Sequence, residues 1–272
     1  MNVPYYFVVE EFEFEKYARY TDKDRVLILD QTYLDNYETC DDLGGEKSKG
    51  PGAARNFAWD HSIKNGFKYH WVMDDNIRTF HRLNRNIKIR VADGTILRCA
   101  EDFVQRYDNV AVSGLNYSCF CITDAHMALR EIPAYTLNTR IYSCLFIRND
   151  IPYRWRGRYN EDTDLSLRVL KDGWCTIQFN AFLCNKVWTQ SMGGGNTEEF
   201  YRKEGTHPKS KMLQEMHPDV SRVVWKFNRW HHYVDYSSFQ DNKLIRTPNW
   251  NYKNEINDYG MRIVPVKGDF DD

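Results

Sequence analysis

Short apolar runs that stop abruptly on acidic residues alternate with helix-length segments through the first two thirds of the chain. No other feature constrains the fold as much. Tyr69-His70-Trp71-Val72-Met73 halts at Asp74-Asp75-Asn76, while Tyr5 to Val9 and Val26 to Leu29 are closed by Glu10 and Asp30. Pro51 to Asn65 reads as a helix, with Pro51 in its first turn, Ala53, Ala54, Phe57, Ala58 and Ile63 as an apolar side, and Gly66 as its end. Ala100 to Tyr107 and Glu161 to Lys171 read as further helices, the second closed by Gly173. Val110 to Val112, Thr139 to Ile147 and Cys175 to Phe179 read as strands. Such alternation implies right-handed crossovers and an α/β fold, with a mostly parallel, Rossmann-like central sheet flanked by helices. After Asn185 the texture changes. Gln190 to Ser210 is polar and holds Gly193-Gly194-Gly195, as a surface loop would. Val220 to His232 has helical spacing, with Val220, Val223, Val224, Phe227 and Trp230 as its buried side. We therefore expect one domain over residues 1–240 and a C-terminal helical extension over 241–272 packing on it.

The 272 residues are 42% hydrophobic and 28% charged, enough for a sizeable core and unlike a disordered chain. No apolar run reaches the ~18 residues of a membrane span, and Met1 to Glu15 lacks the basic start of a secretory signal. Seven cysteines, an odd number with no C-x-x-C pair, argue against a zinc knuckle or disulfide framework and for buried thiols in a cytoplasmic protein. A formal net charge of −1 excludes a nucleic-acid coat protein but not an enzyme with one basic groove.

Asp74-Asp75-Asn76 is the sharpest chemical signal. Ligand sites in α/β sheets lie beyond the carboxyl ends of strands, and adjacent acids repel unless a cation sits between them. Their hard oxygens suit Mn²⁺ or Mg²⁺ bridging to phosphates. A plain polar turn is the competing reading. Lys49-Gly50-Pro51-Gly52-Ala53-Ala54-Arg55-Asn56 opens the preceding helix with small residues and a basic one, which permits close approach of an anion. No Walker loop is present.

The order Gly-Pro-Gly-Ala-Ala-Arg-Asn, then an apolar strand and Asp-Asp-Asn-Ile, resembles a GT-A glycosyltransferase. The resemblance implies that Gly52, Arg55, Asn56 and Asp74 help hold a nucleotide-sugar. The acidic triplet corresponds to the family's D-x-D motif, with Asn76 in its third position. Tyr159-Asn160-Glu161-Asp162-Thr163-Asp164 resembles the segment in which inverting GT-A enzymes keep their base. This makes Asp162 the candidate base, with Glu161 beside it. Helix capping is the competing role for all three acids. Trp155 to Asp164, then Asn185-Lys186, then Glu204 to Lys211, is similar to the TET-associated glycosyltransferases of phages. That family is expected to add a sugar to a 5-hydroxymethylpyrimidine in DNA.

On the same resemblance, His207 becomes a metal ligand on a loop over the donor, with Lys203 and Lys209 covering its phosphates. His217, His231 and His232 compete for that role. Arg78, Arg82 and Arg85 form one basic group, and Arg154, Arg156 and Arg158 another. Both flank the expected site and could track a DNA backbone, although charge runs more often mark a solvated surface.

The expectation is thus a Mn²⁺- or Mg²⁺-dependent, inverting hexosyltransferase. It moves a sugar from a UDP-sugar to hydroxymethylated DNA, 5-hydroxymethylcytosine being the favoured base, in the cytoplasm of a host cell if phage-encoded. A glycan or protein acceptor is the nearest alternative. A non-catalytic nucleic-acid-binding module is the alternative from another class.

Overall fold

A computed structural model describes residues 1–42, 48–84, 87–121, 132–187, 206–248 and 256–263. The chain opens with a two-stranded parallel sheet of β1 (Phe7–Val9) and β2 (Val26–Ile28). Between and after them lie the short helices α1 (Phe14–Tyr17) and α2 (Gln31–Asp35). Asp30 caps α2 by accepting from the Thr32 N–H at 2.9 Å. Helix α3 (Gly52–Lys64) and strand β3 (Tyr69–Met73) follow as the sequence predicts, with Gly66 taking the left-handed φ of 78° just past the helix.

The main sheet has the order β3-β8-β6-β9-β4-β5, and β7 pairs with β9. Its further strands are β4 (Ile77–Asn84), β5 (Ile87–Val91), β6 (Val110–Tyr117), β7 (Tyr135–Leu137), β8 (Cys144–Arg148) and β9 (Cys175–Lys186). Among the described strands of this sheet only β6 and β9 pair in parallel, whereas β3–β8, β6–β8, β4–β9, β4–β5 and β7–β9 are antiparallel. The expected mostly parallel sheet is therefore replaced by a mixed one. Only the β4–β5 pair follows from a short connection, since strands two residues apart in sequence pair as a hairpin; the other antiparallel pairs join strands far apart in the chain.

Strand direction decides where a site can form. Since β8 runs antiparallel to both β3 and β6, and β9 runs with β6, the strands β3, β6 and β9 share one direction. Their carboxyl ends and the start of β8 meet along one edge. Helices α4 (Thr95–Gln105) and α5 (Glu161–Lys171) cover the sheet. On α4, Ile96, Ala100, Phe103 and Val104 are buried at helical spacing, packed with Phe146, Ile177 and Phe179 of the sheet. On the α5 side, Trp59, Leu145, Ile147, Trp155, Leu165 and Val169 form a second cluster. Cys99, Cys121, Cys144, Cys175 and Cys184 are buried, and the described cysteines are all free thiols.

Two elements differ from expectation after α5. His207–Met216 is a helix, α6, so the polar stretch ends inside a regular element, and its part over residues 190–205 lies outside the described residues. Val220 to His232 is an antiparallel hairpin rather than a helix: β10 (Ser221–Lys226) pairs with β11 (Arg229–Val234). Phe227 and Asn228 both have positive φ, 53° and 56°, as a two-residue type I′ turn demands. The described parts of the C-terminal extension, 241–248 and 256–263, hold no helix, contrary to expectation. They attach through backbone bonds instead, Asp108 N–H to the Ile245 carbonyl and Thr247 N–H to the Arg106 carbonyl, both at 2.9 Å.

The centre of the sheet tolerates no added atom at Gly114 of β6. A Cβ there would lie 2.1 Å from the Cys144 carbonyl oxygen on the neighbouring strand. Gly114→Ala is expected to lower stability by ~3 kcal/mol or more, since backbone must move. Denaturant titration measures it, and a loss below ~1 kcal/mol would mean the β6–β8 ladder is softer than its register implies.

Candidate active site

Five elements meet where β3 ends. The Asp74 N–H donates to the Ser143 carbonyl at 2.8 Å, and the Ser143 hydroxyl donates back to the Asp74 carboxylate. Ser143 reaches both groups because its φ is 57°, a left-handed backbone unusual for a residue with a side chain. Lys186, the last residue of β9, donates to Ser143 Oγ at 2.9 Å and to Asp74 Oδ2 at 3.3 Å. Tyr117, the last of β6, shares a 2.6 Å bond with the Ser143 hydroxyl. Arg55, in the first turn of α3, donates to Asp74 Oδ1 at 2.8 Å and to Glu161 Oε1 at 2.9 Å. Its guanidinium also lies 4.7 Å from the Trp155 ring centroid.

The electrostatics follow from this geometry. Burial alone would raise the Asp74 pKa, but Arg55, Lys186 and the Ser143 hydroxyl win and hold it below the usual carboxylate range. Burial likewise opposes the Arg55 charge, and Glu161, Asp74 and Asp162 more than offset it. Asp162 is pushed the other way. Burial first, then the Glu161 carboxylate, raise it to about 7, against the weaker pull of Arg55 and Lys209. A half-buried acid at that value is poised to exchange a proton near neutral pH.

Around Asp162 lies a group that sequence reasoning did not assign. The Thr163 hydroxyl donates to Tyr142 Oη at 3.4 Å, and the Arg140 guanidinium stands 5.5 Å from the Tyr142 ring centroid. Tyr142 stacks at 6.4 Å on Tyr117. The Asp162 charge also reaches Tyr236 and Arg140. Burial, then Lys209 and Arg140, lower His232 to about 4, so it is neutral near pH 7. Ser143 and Tyr117 carry no local sequence signal, since only the strand order brings them together, and Lys186 stands in the sequence only within the Asn185-Lys186 resemblance, with no role attached to it. Positive φ at Ser143 is equally silent in sequence.

The other predicted residues fall in several places. Asp75 is exposed and Asn76 half-buried, in the turn from β3 to β4. The Asn76 side-chain oxygen is buried and has no hydrogen-bond partner among the described residues. Gly52 is buried, and a Cβ on it would lie 1.8 Å from the Tyr37 hydroxyl. Asn56 is engaged with Trp155 through two reciprocal backbone bonds of 2.9 and 2.8 Å. Both residues shape the entrance to the helix, and Asn56 also lines an open groove with Tyr33, Asp60 and Arg154. His207 begins α6, exposed, with its ring 5.1 Å from that of Trp230. Lys209 is half-buried and close enough to be felt by Asp162 and His232.

Of the basic candidates, Arg78 is exposed. Arg82 lies over the Tyr259 ring at 5.1 Å, and Arg154 pairs with Asp60 at 3.3 Å. Arg156 pairs with Asp164 at 3.3 Å. Arg158 is 2% exposed and bound to Asp41 at 2.6 Å, so it braces the interior and does not face a groove. Arg85 and Lys203 lie outside the described residues.

Asp164, two residues after Asp162, is fully buried and has a structural job. It accepts from Arg168 at 2.7 Å and from His217 Nε2 at 2.9 Å, as well as from Arg156. Burial would raise its pKa, but His217, Arg168 and Arg156 lower it.

At the aligned strand ends an acid clamped by two cations thus stands beside a carboxyl of near-neutral pKa, an arrangement able to exchange a proton near neutral pH. The comparison with known families narrows this. The family model described as TET-Associated Glycosyltransferase matches residues 1–195, and the chain belongs to that family. No curated protein and no solved structure matches the chain. No described helix is long and apolar enough to cross a membrane.

The two neighbouring acids should respond oppositely to neutralisation. Asp164→Asn leaves buried cations without their carboxylate and should cost ~3–5 kcal/mol. Asp162 is an acid whose folded pKa is raised, so its contribution to stability is full below about pH 4 and fades as pH rises to about 7. Asp162→Asn should therefore raise the melting temperature at pH 8, by a few degrees, and change it little at pH 4. Thermal scans at the two pH values check both variants. Equal losses for both would assign Asp162 to capping.

Proposed function

We propose that this chain transfers a sugar from a UDP-sugar to the hydroxymethyl group of a modified pyrimidine in DNA, with inversion at the sugar carbon. The observation that carries the reading is Asp162: a half-buried carboxyl raised to about 7, adjoining the Arg55–Asp74–Glu161 cluster. Membership of the TET-associated family supports the DNA acceptor.

Asp162 takes the proton of the acceptor hydroxymethyl group as its oxygen bonds to the sugar carbon. The bond from that carbon to the departing phosphate oxygen breaks, and the electron pair leaves with UDP. Arg140, Tyr142 and Tyr236 beside Asp162 offer a cation and aromatic faces, a fitting surround for a pyrimidine drawn out of a duplex. Lys186 and Arg55 place positive charge where the pyrophosphate edge of the donor would lie. They also hold Asp74 ionised and fixed.

The residues present fit a divalent ion of the Mg²⁺ or Mn²⁺ kind. Asp75 offers an exposed carboxylate and Asn76 a buried, unpartnered oxygen, while both Asp74 oxygens are already engaged. The described residues contain no group of three or more His, Cys, Asp or Glu side chains able to hold a metal. Such an ion would thus depend on donor phosphates and water for its remaining ligands, as Mg²⁺ commonly does. When bound it would offset charge building on the departing UDP.

Asp162→Asn should cut turnover about 10²–10⁴-fold while UDP-sugar binding persists. The wild-type rate should climb with pH through about 7, and Glu161→Gln, by removing the neighbouring negative charge, should move that limb to lower pH. Nucleoside mass spectrometry after incubation of hydroxymethylated DNA with a UDP-sugar panel measures the product. A variant with near-wild-type turnover would transfer the base role to Glu161 or elsewhere. For the metal, Asp75→Ala and chelation of the wild type should each abolish transfer without loss of fold. Full activity in chelator would remove a metal from the reaction.

A further inference from the structure

The hairpin of β10 and β11 lies beyond the matched residues 1–195 and joins exposed aromatic rings to an unbroken basic composition. Residues 220–234 contain Arg222, Lys226, Arg229, His231 and His232 and no acid. Of the acids that bracket it, Asp219 accepts from Lys171 at 2.7 Å, while Asp235 accepts from the Ser237 hydroxyl at 2.6 Å and its charge also reaches Arg222, leaving Lys226 and Arg229 nearest the tip. Register sorts its side chains onto two faces. Arg222 and Tyr233, Val224 and His231, and Lys226 and Arg229 are paired on one. Val223 and His232, and Trp225 and Trp230, are paired on the other. The second face is the one turned to the active site, because His232 is felt by Arg140 and Lys209.

Several aromatic residues of the hairpin are largely exposed. Trp225 is 57% exposed and Phe227, at the tip, 78%. Trp225 and Trp230 meet edge to face at 5.0 Å. Phe227 holds a φ of 53°, strained for so bulky a residue, and Lys226 Nζ sits 5.0 Å over its ring. A turn of this type favours Asn or Gly. Asn228 satisfies that preference, whereas Phe227 contradicts it and is held outward regardless.

We propose that this hairpin docks on duplex DNA and inserts Phe227 between base pairs, extruding the modified pyrimidine toward Asp162. A two-stranded ribbon fits a DNA groove, and apolar wedges at ribbon or helix tips unstack base steps. The basic face with Arg222, Lys226 and Arg229 meets the phosphates. Trp225 and Trp230 lie between the tip and His232, on the face turned toward Asp162, where an unstacked base can lie against their rings. The inference deepens the proposed DNA reaction and rests on it only for the identity of the extruded base.

Two variants of the full chain test it, Phe227→Ala and the combined Arg222→Gln, Lys226→Gln, Arg229→Gln. Both alter exposed side chains, and circular dichroism confirms their fold. Anisotropy of a labelled duplex with one 5-hydroxymethylcytosine reads affinity against salt, and 2-aminopurine beside the modified base reads unstacking. The triple variant should bind at least ~10-fold more weakly, with the log–log salt slope flattened by up to about 0.9 per lost phosphate contact. Phe227→Ala should bind within about twofold of wild type yet lose the 2-aminopurine rise. Its transfer to duplex should fall ~10-fold or more relative to a single strand with the same base. Wild-type affinity and slope in the triple variant would overturn the docking surface. An unchanged duplex-to-single-strand ratio and 2-aminopurine signal in Phe227→Ala would overturn the wedge. If the wild type transfers no sugar to any DNA, the proposed reaction fails, and the two fluorescence arms still judge the hairpin.

Discussion

The buried guanidinium of Arg55 is the contact on which the site depends. It joins the first turn of α3, the end of β3 and the first turn of α5 through Asp74 and Glu161. A cation in that position would be costly without both carboxylates, and each carboxylate would be costly without it. The three elements therefore hold their relative positions as a set. Trp155 closes one side of the guanidinium and is itself fixed by Asn56, one residue along the same helix. The small residues before Arg55 serve this arrangement. Gly52 leaves room for Tyr37, whose hydroxyl donates to the Gly157 carbonyl at 2.8 Å and so ties the α2 region to the segment leading into α5.

Asp162 differs from its neighbours because it receives none of these cations directly. Asp164 has Arg156, Arg168 and His217, while Glu161 and Asp74 share Arg55. Three acids within four residues, Glu161, Asp162 and Asp164, are thus separated by environment into a clamp, a carboxyl that titrates near neutral pH and a structural anchor. Asn160, just before them, takes a left-handed φ of 54° and donates to the Lys209 carbonyl at 2.7 Å. That bond sets α6, and with it the hairpin, against the same helix start.

Local residue patterns make part of this legible. The strand ending at Asp74, the helix opened by glycines around Arg55 and the acidic start of α5 all stand in the sequence, since each is a contiguous segment with its own stop signal. The hairpin is not legible, because Val220, Val223, Val224, Phe227 and Trp230 fall at helical spacing by coincidence. Their true period is two, and the turn that resets it lacks glycine. Arg158 misleads for a different reason. Its run of arginines looks like solvated charge, and only the fold reveals Asp41 as its partner. The mixed sheet is hidden because the basic group of Arg78, Arg82 and Arg85 reads as surface charge and not as the strand that β4 becomes beside β9.

The backbone of Ser143 has a consequence for ligand entry. Its left-handed twist lets one residue grip Asp74 from two sides, by its carbonyl and by its hydroxyl. Lys186 and Tyr117 then grip the same hydroxyl. The anionic post at the strand edge is immobilised before any substrate arrives, so binding forfeits no rotamer freedom there. The edge is preorganised: any ligand that docks beside Asp74 meets a fixed frame and must itself bring the matching shape and charge.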